Sequence, residues 1–118
     1  MKKIYHLSTC STCQRILKEI KPGKEVVLQD IKTEKITAVQ LDEMIRLAGS
    51  AEALFSRVAL KYRSLGLNKL SLTEKDYRKY ILEEYTFLKR PVVIIGKEIF
   101  IGNSKQVVSL AKTALKNT

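Results

Sequence analysis

Three observations predict an α/β fold. An alternating apolar segment runs straight into Cys10-Ser11-Thr12-Cys13 and a helical pattern. A second short apolar segment follows soon after, which makes a strand–helix–strand unit. Near the other end, a proline opens a strand, a tight turn, a second strand and a last helix.

Lys2 to Leu7 alternates and carries Ile4 and Tyr5, so it reads as the first strand. Ser8-Thr9 supplies turn and cap chemistry, and Gln14 to Ile20 continues as a short amphipathic helix. Pro22-Gly23 stops it, and Val26-Val27-Leu28 forms a second strand ending at Asp30. Two strands joined by one helix should lie parallel, with a right-handed crossover. The middle is helical. Thr37 can cap a helix with Val39, Leu41, Ile45 and Leu47 on one stripe, closed by Gly49. A helical turn around Ala51 to Phe55 and a weakly patterned stretch from Leu60 to Leu67 follow, the latter closed by Gly66. Thr73 and Asp76 have capping-box spacing at the start of a helix through Tyr85. Pro91 to Ile95 is a strand, Gly96-Lys97 a two-residue turn, and Glu98 to Ile101 the hairpin partner. Asn103 or Ser104 caps a final helix to about Leu115.

A chain of 118 residues fits one domain, 1–118, with the helical insert at about 34–88. Its 45% hydrophobic and 29% charged residues are those of an ordinary globular protein. No apolar run approaches the ~18 residues of a membrane span, and charges return too early for an export signal, so a cytoplasmic protein is expected. The net charge of +10 suits an anionic substrate, glutathione, or an acidic protein or nucleic acid. The basic residues form no tail and do not interleave with aromatics, which argues against direct nucleic-acid binding.

The two cysteines form a single CxxC pair, with no second pair or histidine cluster to complete a metal site. Three residues apart on a helix, they share one face. A helix start offers free N–H groups and a partial positive charge. These can lower a cysteine pKa from ~8.5 into the ~3.5–7.5 range. At pH 7 a thiol of pKa 8.5 is only ~3% ionised, against ~75% at 6.5. Thiol chemistry is the expectation: Cys10, nearer the dipole end, is the nucleophile and Cys13, one turn inward, the resolving thiol. The N–H groups of Ser11, Thr12 and Cys13 form an oxyanion site.

The segments IYHLSTCSTCQRIL, Asp30-Ile31-Lys32, LFSRVALKYRSLGL and LKRPVV resemble the ArsC family, which joins glutaredoxin-linked arsenate reductases to Spx-type transcriptional regulators. The resemblance covers Ile4 to about Val108. It implies a thioredoxin-like fold, with βαβ then ββα, a mixed four-stranded sheet and a cis Arg90-Pro91 bond. In the reductases a cysteine at the position of Cys10 attacks arsenate, and glutathione with glutaredoxin completes reduction to arsenite. No bound cofactor is implied; glutaredoxin or thioredoxin would be the protein partner, and a small oxyanion or thiol the substrate. His6 matches a histidine held to keep the thiol ionised, although a histidine ending a strand is commonly just packed. Arg90, beside Pro91, would fork onto an oxyanion.

The chain departs from the reductases at two of three anion-binding arginines. Ser56 stands where the first belongs, with Arg57 one position later, and a one-residue shift on a helix turns a side chain by ~100°. Gly102 stands roughly where the third belongs. Losing both contacts implies anion capture weaker by roughly two to four powers of ten. The reductases also generally lack the second cysteine. Spx-type proteins carry the CxxC and lack the last arginine; their pair is a redox switch, and their partner is the RNA polymerase α subunit. On that reading the helical insert is the contact region, with Arg46, Lys61 and Arg63 either contacts or simply a solvated face. Three functions therefore follow from the resemblance: a thiol oxidoreductase, a redox-gated regulator, or a retained scaffold without catalysis.

Overall fold

A computed structural model describes residues 1–117. The chain is α/β and divides into two compact units, residues 1–35 with 90–118, and residues 36–89.

The first unit is built on a mixed four-stranded sheet of β1 (Lys2–His6), β2 (Val27–Asp30), β3 (Val92–Ile95) and β4 (Glu98–Ile101), in the order β2-β1-β3-β4. β1 pairs parallel with β2, placing Ile4 beside Leu28 and His6 beside Asp30. β3 pairs antiparallel with both β1 and β4. β3 is central, and all four of its residues are buried, as the unbroken VVII run requires of a strand covered on both faces. On one face, Ile4, Val93 and Ile95 form a core with Ile16 and Ile20 of α1 (Ser11–Ile20) and with two residues near the chain end, Val108 and Ala111. Gly96 turns the hairpin with φ 60°, a left-handed conformation that glycine adopts without a Cβ clash. The peptide between Arg90 and Pro91 is cis.

Several helix ends refine the sequence expectation. α1 begins at Ser11, in the cysteine loop as expected, but Cys10, in extended conformation (φ −93°, ψ 113°), is the N-cap in place of Ser8-Thr9. The helix ends at Lys21, which is left-handed at φ 51° and donates its N–H to the Leu17 carbonyl, one residue before Pro22. Of the two residues expected to cap the last helix, α5 (Lys105–Lys116), it is Ser104 that does so, accepting the Val107 N–H at 3.2 Å.

The second unit holds α2 (Ala38–Ala48), α3 (Leu60–Ser64) and α4 (Glu74–Glu83), with 3-10 turns at Glu52–Leu54, Leu67–Lys69 and Tyr85–Phe87. Thr37 with Gln40, and Thr73 with Asp76, form complete capping boxes. The expected apolar stripe of α2 is corrected: Val39 is 79% exposed, while Leu41 and Met44 are fully buried. Val39 and Leu41 are two residues apart, so they lie on nearly opposite sides of a helix. α4 ends at Glu83, short of Tyr85, which starts the following 3-10 turn. Phe55 stacks on Phe87 at 5.0 Å and meets Tyr77 at 4.9 Å, giving this unit an aromatic centre. Arg78 forks onto Asp42 at 2.8 and 3.1 Å, joining α4 to α2.

Candidate active site

β1 and β2 are parallel, so their carboxyl ends finish side by side, and the chain leaving β1 turns directly into α1. Ligand sites of α/β sheets lie at such strand ends. The turn is closed by the Cys10 N–H donating to the Leu7 carbonyl at 3.0 Å, and α1 then begins with the Gln14 N–H donating to the Cys10 carbonyl at 3.1 Å. The Gln14 side chain reaches back to the Ser8 carbonyl at 3.3 Å.

Cys10 is half-buried and Cys13 is fully buried; both are free thiols. No conventional side-chain cap closes α1. Partial burial pushes the Cys10 thiol upward, but four influences overcome it: the Cys13 N–H, the Cys13 thiol, the Arg90 charge and the Thr12 N–H. The net effect lowers its pKa. These groups give a negative sulfur what a capping oxygen would otherwise receive at a helix start.

Cys13 is the opposite case. Burial pushes its thiol up to about 11; the Leu7 N–H and Arg90 oppose this, while the charge on Cys10 and the hydrogen bond it accepts add to it. One negative sulfur disfavours a second beside it. Of the two, Cys10 therefore gives up its proton first and Cys13 keeps its own.

Arg90 is half-buried immediately before the buried Pro91, and its charge acts on both sulfurs. Ser11 is exposed and Thr12 half-buried on the first turn of α1. His6 ends β1 half-buried, with its Nδ1 buried and without a hydrogen-bond partner among the described residues. Its charge bears on Asp30, its register partner across the sheet. Cys10, Cys13, His6, Ser11, Thr12, Arg90 and Pro91 all belong to the sheet unit.

Arg57 belongs to the helical unit. Its guanidinium donates to Glu52 at 2.7 Å and to the Tyr77 hydroxyl at 2.9 Å, and it lies 5.6 Å from the Tyr77 ring centre. Glu52 chiefly, then Tyr77, raises its pKa further. Ser56, one residue earlier, is buried and donates its N–H to the Phe87 carbonyl at 2.7 Å.

Asp30, which sequence reasoning gives no role of its own, ends β2 beside His6 and bonds the chain that leads into the cysteine loop. It accepts the Ser8 N–H at 3.1 Å and the Lys32 N–H at 3.2 Å, with the Thr33 hydroxyl at 3.4 Å. The Ser8 hydroxyl first, then these N–H groups, hold it below the usual carboxylate range. The one available signal was an acidic residue ending a strand parallel to the strand that enters the cysteine loop.

Among the described residues, no cluster of three metal-ligating side chains occurs, and no helix is long and apolar enough to cross a membrane. The sequence pattern of the ArsC family matches residues 5–110. Three solved structures are similar over nearly the whole chain. An arsenate reductase from Vibrio cholerae shares 20% identity, with a TM-score of 0.72 over 92% of this chain and 95% of its own. An arsenate reductase related protein from Brucella melitensis shares 21%, with a TM-score of 0.71 over 89% and 88%. A Staphylococcus aureus protein solved by NMR shares 27%, with a TM-score of 0.70 over 93% and 97%. Curated proteins show no significant match. The fold these neighbours share with the chain is thioredoxin-like.

Proposed function

Because this chain belongs to the ArsC family, we propose that it is a cytoplasmic thiol oxidoreductase that reduces an oxyanion of the arsenate type. The observation that carries this reading is the asymmetry of the two sulfurs: Cys10 lowered at the start of α1, Cys13 buried and raised to about 11. A nucleophile must be ionised before reaction, whereas a resolving thiol ionised too early would only repel the incoming anion.

The Cys10 thiolate attacks arsenic and forms an S–As bond, while one arsenate oxygen takes up protons and leaves as water. The first-turn N–H groups of α1 and the Arg90 charge stabilise the anion in transit. Burial is the chief reason Cys13 stays protonated, and once bonded to arsenic Cys10 no longer adds its charge to that effect. Cys13 then loses its proton and attacks the Cys10 sulfur. The S–As bond breaks with its electron pair on arsenic, which leaves as arsenite, and the two cysteines become a disulfide. Glutathione with glutaredoxin, or thioredoxin, returns the disulfide to two thiols.

Arsenate-dependent oxidation of a glutathione–glutaredoxin couple tests this directly. Turnover that disappears in Cys10→Ser is expected; no turnover from a protein whose Cys10 reacts normally would end the arsenate assignment.

A second reading is favoured by Arg57, whose guanidinium is already engaged by Glu52 and Tyr77, and by Gly102 in place of a further arginine. The CxxC would then be a redox switch on a regulator that binds the RNA polymerase α subunit. Binding to that subunit that differs between oxidised and reduced protein supports it; equal absence in both states removes it.

A further inference from the structure

Asp30 and Ile31 together fasten the chain that leaves β1. The Ile31 N–H donates to the His6 carbonyl at 2.9 Å. One residue earlier, the Asp30 carboxylate accepts the Ser8 N–H at 3.1 Å. His6 and Ser8 flank Leu7, so the two bonds hold the peptides on either side of it. Leu7 in turn serves both thiols: its carbonyl accepts the Cys10 N–H at 3.0 Å, and its N–H points to the Cys13 sulfur. The carboxylate is itself braced by the Lys32 N–H and the Thr33 hydroxyl, so its aim is set from its own loop.

We infer that Asp30 is a positioning residue for the CxxC pair, clamping the chain around Leu7 so that both sulfurs sit in register with the start of α1. This rests on the reading of Cys10 as the reactive thiol. The clamp acts through the backbone and touches neither sulfur. Its charge alone would work the other way, since a carboxylate near a thiol disfavours the thiolate. The charged and titratable groups at this end of the sheet include His6 ending β1, Asp30 ending β2 and Lys32 beyond it, Cys10 at the N-cap of α1 and Cys13 within it, and Arg90 before β3.

The opposite signs make the test decisive. The pH dependence of Cys10 alkylation by iodoacetamide is measured in the parent, Asp30→Ala, Asp30→Asn and Asp30→Glu, with thermal melting of each. Positioning predicts that Asp30→Ala raises the apparent Cys10 pKa by about half to one pH unit, the loss of roughly one hydrogen bond's worth of alignment. Asp30→Asn, which keeps an oxygen acceptor, stays near the parent. Asp30→Glu keeps the charge but moves the oxygen, so it raises the value as well and stands in if the alanine variant does not fold. A fall in pKa in the alanine and asparagine variants, or an Asp30→Glu value equal to the parent's, overturns the inference. A parent Cys10 that titrates at or above about 8.5 instead overturns the reading beneath it.

Discussion

Cys10 and Cys13 sit one helical turn apart, yet their surroundings divide the chemistry between them. Cys10 is half-exposed with N–H donors and a guanidinium around it, whereas Cys13 is fully buried beneath it. At pH 7 a thiol titrating near 11 is ionised in roughly one molecule in ten thousand. Brief treatment of the reduced native protein with iodoacetamide at pH 7 should therefore add one carbamidomethyl group, on Cys10, and two in denaturant; mass spectrometry reads both. The raised Cys13 value also has a sign for stability. Below about pH 8.5 both folded and unfolded chains keep this proton, and the stabilisation is intact. Between that value and about 11 the unfolded chain loses the proton and the folded one keeps it, so stability falls with pH. Cys10, whose pKa folding lowers, has the opposite sign and does not contribute to the fall. Urea midpoints of the reduced protein should drop more from pH 8.5 to 10.5 than those of Cys13→Ala. Arg90 acts on the same sulfurs by charge, so Arg90→Ala should raise the apparent Cys10 pKa and Arg90→Lys should largely restore it.

The elements that carry these residues were legible in the sequence where local rules decide them. Ser/Thr caps and glycine stops are short-range chemistry, and the boxes at Thr37–Gln40 and Thr73–Asp76 follow from side chains three residues apart. Thr73→Ala should lower unfolding stability by about 1 kcal/mol, with Thr73→Ser nearly neutral, as urea titration would show. What failed was the choice of face. Val39 carries the same apolar side chain as a core residue, but burial is decided by what packs against the helix, and Met44 was chosen instead. The cap of α1 was misassigned for a related reason: cap preferences pointed to Ser8-Thr9, whereas the helix, starting at the cysteine loop as expected, is capped by a cysteine. Local rules bend where a site needs the backbone for chemistry.

Across the whole molecule, the excess of basic residues was visible from composition, while Asp30 was not, because its role depends on two strand ends meeting in space. A charge of +10 raises the local concentration of anions around the protein. Raising ionic strength from 0.01 to 0.15 M shortens the screening length from about 30 to about 8 Å. The rate of Cys10 with a dianionic aromatic disulfide should then fall several-fold, while the rate with neutral iodoacetamide stays flat; equal behaviour of the two reagents would remove long-range attraction from the account.

The pH profile of Cys10 alkylation in the parent protein bears most directly on the claim that the start of α1 makes this sulfur acidic. An apparent pKa below about 7.5 is the predicted result. A value at or above about 8.5, that of an ordinary cysteine, would contradict it.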